Sequence, residues 1–317
     1  MRKWFGVLFL CAIIYLATTK FSLSNVLYVS SCHFAYQDDE YRISALILEN
    51  DEQEIIKSNA TSLGGAFTLL SQASSLLINF RHIESIVLDY SILNEKHIEA
   101  IRAYLLNNSA IDFNFYLFAS EISADEIFSY ENPKGISSYY SLLNVDYNDD
   151  SQFSYAKPCH LISFLKGWSD DILIKLPIIG LSEVFSNKNL TIKGVLCLNK
   201  KSYHSIMQND WPFLFLFNDF KAGVINLSSF HAILNSNDVS FKYGDNLTIR
   251  IRIQYEGLLN LDNSNDLEAY LNEKALKLIS YFEKEQIDYF NIAQINELRS
   301  CQYSYDNITI DLKTQKK

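Results

Sequence analysis

Apolar and polar positions along this chain follow two periods, and the switches between them mark its elements. Val26–Gln37 and Tyr41–Leu48 have the composition of strands, and the polar turn Asp38-Asp39-Glu40 separates them. From Ser62 to Phe80 the period becomes helical, with Leu63, Phe67, Leu70, Ser74 and Leu77 on one face. Ile83–Tyr90 is a compact strand, and Asn94 is placed to cap a helix running through Leu106, with Ile98, Ile101, Ala103 and Leu105 as its apolar positions. Ile111–Ala119 alternates again, Asp112, Asn114 and Tyr116 against Phe113, Phe115 and Leu117. Strand, helix and strand in this order have the lengths of a βαβ crossover. Ser123 is set to cap a short helix over Ala124–Tyr130.

Between about Glu131 and Pro158 the chain turns rich in Tyr, Asn and Asp and predicts a connection. His160–Gly167 follows as a short amphipathic helix, and Leu176-Pro177 should be extended. From Thr191 onward come short strand-like runs: Thr191–Leu198, Ala222–Leu227, Phe230–Leu234, Val239–Tyr243 and Leu247–Tyr255. Asn265 opens a long helix with Leu267, Leu271, Ala275, Leu278 and Phe282 on one stripe, and Asn307–Leu312 reads as a last strand. The expected fold is α+β and multi-domain. It has a βαβ-containing N-terminal region over 25–185 and an antiparallel sheet packed with a long helix over 186–317.

The first 24 residues stand apart. Arg2 and Lys3 precede an apolar run from Trp4 to Ala17, and Lys20 follows it. That pattern is a signal or membrane-anchor segment, shorter than the ~20 residues of a comfortable bilayer span. Positive charge before the run places the remaining chain outside the cytoplasm. Trp211–Phe220 is too short to be a second span and reads as a buried strand. The net charge of −10 argues against nucleic-acid binding, which needs cations for the phosphates, and against docking on anionic lipid.

Chemistry-bearing residues do not assemble into a motif. GxSxG, P-loop, GxGxxG and HExxH patterns do not occur. Gly64-Gly65 reads as a tight turn leading into a helix. Cys159 and His160 are sequence neighbours, awkward as a nucleophile and its base, and His160 reads as structural. His82 lies before a strand, and His97 falls on what looks like a polar helix face; neither has a second ligand at metal-site spacing. The acidic clusters Asp38–Glu40, Asp149–Asp150 and Asp170–Asp171 lack the alternating ligands and central Gly of a calcium loop and read as solvated surface. No catalytic, cofactor-binding or metal-binding residue is therefore assigned. Cys11 lies in the apolar run; Cys32, Cys159, Cys197 and Cys301 remain, either as two disulfides or, the favoured reading, as free thiols.

In order along the chain, several segments resemble the Ger(x)C family, the C subunits of spore germinant receptors. The resemblance rests on the acidic turn with Tyr41-Arg42-Ile43, the helix around Gly65–Leu77, and Arg81-His82-Ile83 leading into an apolar strand. It continues in Asn114–Phe128, His160–Ile178 with its Leu-Pro step, and Ile192–Lys201 with its Gly-containing strand. The last part is Leu267–Tyr289, a long helix ending near Asp288-Tyr289. The family is usually lipid-anchored through a Cys preceded by a small residue, whereas Leu10 precedes Cys11 here, which argues against lipidation. The resemblance implies a non-catalytic subunit without cofactor, on the outer face of the spore inner membrane. Its partners would be two multi-spanning subunits, one of them transporter-like. An exported solute-binding protein is the alternative, and an extracytoplasmic hydrolase would require Cys159, His160 and an acid to converge.

Overall fold

The computed structural model describes residues 26–49, 52–74, 77–108, 111, 113–128, 156–157, 159–184, 187–219, 223–227, 230–259 and 264–316. The predicted connection over 131–158 and the segment 1–24 lie almost wholly or wholly outside these residues. The first hairpin is β1 (Val26–Gln37) and β2 (Glu40–Glu49), paired from Gln37↔Glu40 upward. Its two-residue loop needs left-handed backbone at both positions; Asp38 and Asp39 supply it at φ 54° and 61°, and Arg42 reaches back to the Asp38 carboxylate at 2.6 Å. A third strand absent from the sequence expectation, β3 (Glu52–Ala60), pairs antiparallel with β2.

The predicted helix at 62–80 is shorter. α1 (Leu63–Gln72) is capped by the Ser62 Oγ, which accepts from the Gly65 amide at 3.1 Å, and Leu77–Asn79 instead forms β4, parallel to β1. β5 (Ser85–Asp89), α2 (Glu95–Asn107) and β6 (Tyr116–Ser120) follow, with β5 and β6 parallel. Asn94 caps α2 as expected, accepting from the His97 amide at 3.1 Å. α3 (Ala124–Phe128) carries a capping box in which the Ser123 hydroxyl accepts from the Glu126 amide and the Glu126 carboxylate accepts from the Ser123 amide. After the two-residue β7 (Cys159–His160) and α4 (Leu161–Ser169) come β8 (Ile174–Val184), β9 (Asn187–Leu198) and β10 (Tyr203–Met207).

These strands form one mixed sheet in the order β10-β9-β8-β6-β5-β1-β2-β3, with β4 beside β1 and β7 beside β6. β9 and β10 thus extend the first sheet. The expected boundary at 185/186 lies between two strands that pair with each other, β8 and β9, and the last strand of that sheet ends at Met207. One face buries Cys32, Phe34, Ile43, Ile86 and Leu117 beneath α1, α2 and α4, where Phe67, Ile98, Phe164 and Trp168 meet them.

The second sheet has the order β11 (Gly223–Leu227), β12 (Phe230–Tyr243), β13 (Leu247–Leu259) and β14 (Ile308–Lys316). It is antiparallel through β13; β14 is parallel to β13, since α5 (Ser264–Lys284) and α6 (Ile292–Arg299) carry the chain back across it. The two runs expected at 230–234 and 239–243 are one continuous strand. The α5 stripe is buried as its period requires: Leu267, Leu271 and Ala275 are wholly enclosed, with Leu278 and Phe282 beside them. Leu214–Phe217 is buried, but as a 3-10 turn and not as a strand. Val195, Cys197 and Ile206 belong to this second core, so the C-terminal module packs on the reverse face of β9 and β10.

Candidate functional site

Strand alternation gives the large sheet a second face, and its polar residues follow from a period of two. In the β1–β2–β3 register, His33 lies beside Ser44 and Ser44 beside Lys57; two residues on, Ala35, Arg42 and Asn59 form the next row. These rows and the α3 end, with Ser123 and Asp125, bound a groove of about 430 Å³ that also includes Asp89 at the carboxyl end of β5. Polar groups there are mostly paired. Lys57 Nζ meets the Asp125 carboxylate at 2.5 Å, Arg42 donates to Gln37 and Asp38, and Asn59 donates to Glu40. His33 is the exception: it is 4% exposed and its Nε2 has no hydrogen-bond partner among the described residues. Burial holds its pKa below the ordinary histidine value, against the opposing pull of Asp89, a backbone hydrogen bond with Ile122, and Asp125. On the same face of β1, two residues before His33, Ser31 and Ser85 share a buried hydroxyl–hydroxyl bond of 2.6 Å. Such a groove can hydrogen-bond a ligand or a partner segment; among the described residues it brings no nucleophile against a base.

The second concave place is the seam between the two sheets, with a volume of about 530 Å³, where α4 and β8 face β12 and the Asp288–Asn291 turn. Asp288 shapes that turn by accepting from the amides of Ile292 at 2.6 Å and Ala293 at 3.0 Å, which caps α6. Tyr289 stacks on Phe282 with ring centres 4.6 Å apart and an interplanar angle of 6°.

Residues singled out from sequence take mostly structural places. Cys159 is buried, its thiol pushed up to about 12 by desolvation, so little thiolate exists at neutral pH. The His160 ring packs on Tyr116 at 4.3 Å. No contact between the His160 ring and the Cys159 thiol, and no acid beside them, occurs among the described residues, so the triad a hydrolase needs is not brought together. Cys32 and Cys197 are buried thiols also raised by desolvation; Cys301, the fourth, is half-buried, and all four are unpaired. His82 packs edge-on to Tyr28.

His97 departs from expectation. It is 5% exposed, bonded through Nδ1 to the Tyr41 hydroxyl at 2.9 Å, with the Tyr36 ring tilted against it at 3.9 Å. Its helix face is polar in sequence but covered by the aromatic end of the first hairpin. Asp38 and Glu40 are engaged with Arg42 and Asn59, Asp170 ends α4, and Asp149–Asp150 lie outside the described residues. No cluster of metal-ligand character occurs among the described residues. His33, Arg42 and Lys57 escaped the sequence reading; the available signal was polar residues recurring every second position in otherwise apolar strands.

The two sheets and the helices packed on them define an α+β, multi-domain protein. Residues 21–181, just over half of the 317-residue chain, match the family described as the spore germination protein N-terminal domain. The chain belongs to that family, in agreement with the Ger(x)C resemblance. No curated protein matches it.

Proposed function

We propose that this chain is a non-catalytic subunit of a nutrient germinant receptor, acting on the extracytoplasmic face of the spore inner membrane. It is held there by its N-terminal segment and works beside two multi-spanning subunits, one of them transporter-like. The observation that carries the reading is the match to the spore germination N-terminal domain over 21–181, which covers β1 to β7, most of β8 and the polar groove. The buried, protonated thiols support a role in binding over one in covalent chemistry. No helix among the described residues is long and apolar enough to cross a membrane; the apolar run Trp4–Ala17 behind Arg2 and Lys3 is what supports an N-terminal anchor.

Deleting the gene in a strain lacking paralogues tests this. The expected result is slow germination in nutrients, normal spore assembly, and rescue by the wild-type gene. Nutrient germination at the parental rate would contradict the reading.

A further inference from the structure

The seam between the sheets is unusual for so acidic a chain. Its walls carry three lysines, Lys157, Lys166 and Lys175, against one carboxylate, Asp219, in a protein of net charge −10. Asp219 is already committed: it pairs with Lys157 at 2.8 Å and accepts from the Val239 amide at 2.6 Å. Lys166 and Lys175 make no ion pair among the described residues. Lys175 is the more informative. Its neighbours Ile174 and Leu176 point into the first core, so strand alternation turns Lys175 to the opposite face, into the seam. There its ammonium lies 3.6 Å from the centre of the Tyr289 ring. A half-buried cation without a carboxylate partner is costly, and the cost is relieved by a bound anion. Beside these charges the wall carries the polar Ser163, Asn218 and Asn291 and an apolar side made by the buried Phe217 and Phe290 and by Phe241, which is 36% exposed.

We propose that this seam binds a small organic carboxylate, its charge against Lys175 and Lys166 and its apolar body against Phe217, Phe241 and Phe290. The volume of about 530 Å³ accommodates a molecule of one ring or a short aliphatic chain. Around Lys175, the Cys197 thiol across the β8–β9 pair is protonated and Lys157 adds positive charge; the negative charge of the Asp288 carboxylate, which accepts from the α6 amides, offsets part of it without forming an ion pair with Lys175. Desolvation lowers Lys175 to about 8, so it is still an ammonium at pH 7 and loses its charge above pH 8. The inference is independent of the receptor reading, because binding is measured on the isolated protein and germination on the spore.

Calorimetric titration of the purified full-length chain with benzoate, acetate and inorganic phosphate tests it. Benzoate should bind saturably and most tightly, acetate more weakly and phosphate weakest, with benzoate affinity falling between pH 7 and 9.5. Lys175→Met should lower benzoate affinity at least tenfold and Lys166→Met several-fold. Absence of saturable benzoate binding, or phosphate binding tighter than benzoate, would overturn the proposal. So would wild-type affinity in Lys175→Met or, if that variant does not fold, in Lys166→Met.

Discussion

Single residues in this chain carry consequences that can be read from what touches them. Gly194 in β9 lies under β10 so closely that a Cβ there would come within 2.3 Å of the Ile206 carbonyl oxygen and 3.0 Å of the Met207 Cα. Both neighbours are backbone and cannot rotate away. Gly194→Ala is expected to destabilise the protein by roughly 1–3 kcal/mol, the range of overpacking, measured by urea unfolding; an unchanged midpoint would contradict the close approach. His33 and His97 give a pH prediction. Both are held below the ordinary value of 6.5, His33 by burial against Asp89 and Asp125, and His97 by burial and then Lys96. The unfolded chain therefore takes up protons that the folded chain refuses. Stability is full above about 6.5 and declines as the pH falls from there toward the lower folded-state values. His33→Leu should leave stability at pH 7.5 nearly unchanged and make the decline between pH 6.5 and 5 shallower; a decline as steep as wild type would remove His33 from the account. At this scale the sequence revealed little of the groove. Serine, histidine, arginine and lysine scattered through strands become a surface only when three strands are in register.

At the scale of elements, legibility followed the strength of the local signal. α5 was readable because five apolar residues at helical spacing meet one core, and its burial bears that out. Leu271→Ala, at a wholly buried position, should cost about 2–5 kcal/mol in urea unfolding. Asn94→Ala removes the α2 cap and should cost about 1 kcal/mol, with no loss of helix beyond the first turn. The failures have physical causes. The helical period over 62–80 continues past Gln72, but Leu77–Asn79 gains a strand partner in β1, and tertiary pairing overrides the period. β3 was missed because Glu52–Ala60 is rich in Glu, Lys and Asn. Those residues suit its position at the sheet edge, where charge discourages pairing with another chain. α6 was missed because it buries little beyond Ile292 and depends on the Asp288 cap.

For the whole molecule, the α+β class and the strand-rich C-terminal half were legible, while the partition between sheets was not. β9 and β10 look like the start of a second unit, yet Leu196 and Leu198 face the first core and Val195 and Cys197 the second. One strand thus serves both modules, which ties the C-terminal sheet to the family domain. The function we propose has such a molecule holding partners at the spore membrane. Purifying an epitope-tagged, functional copy from detergent-solubilised spore inner membranes and identifying the co-eluting chains by mass spectrometry tests it most directly. The account predicts two multi-spanning proteins at near-stoichiometric yield, one with a transporter-like span pattern. Recovery of the tagged chain alone from the membrane, or chiefly from the soluble fraction, would contradict it.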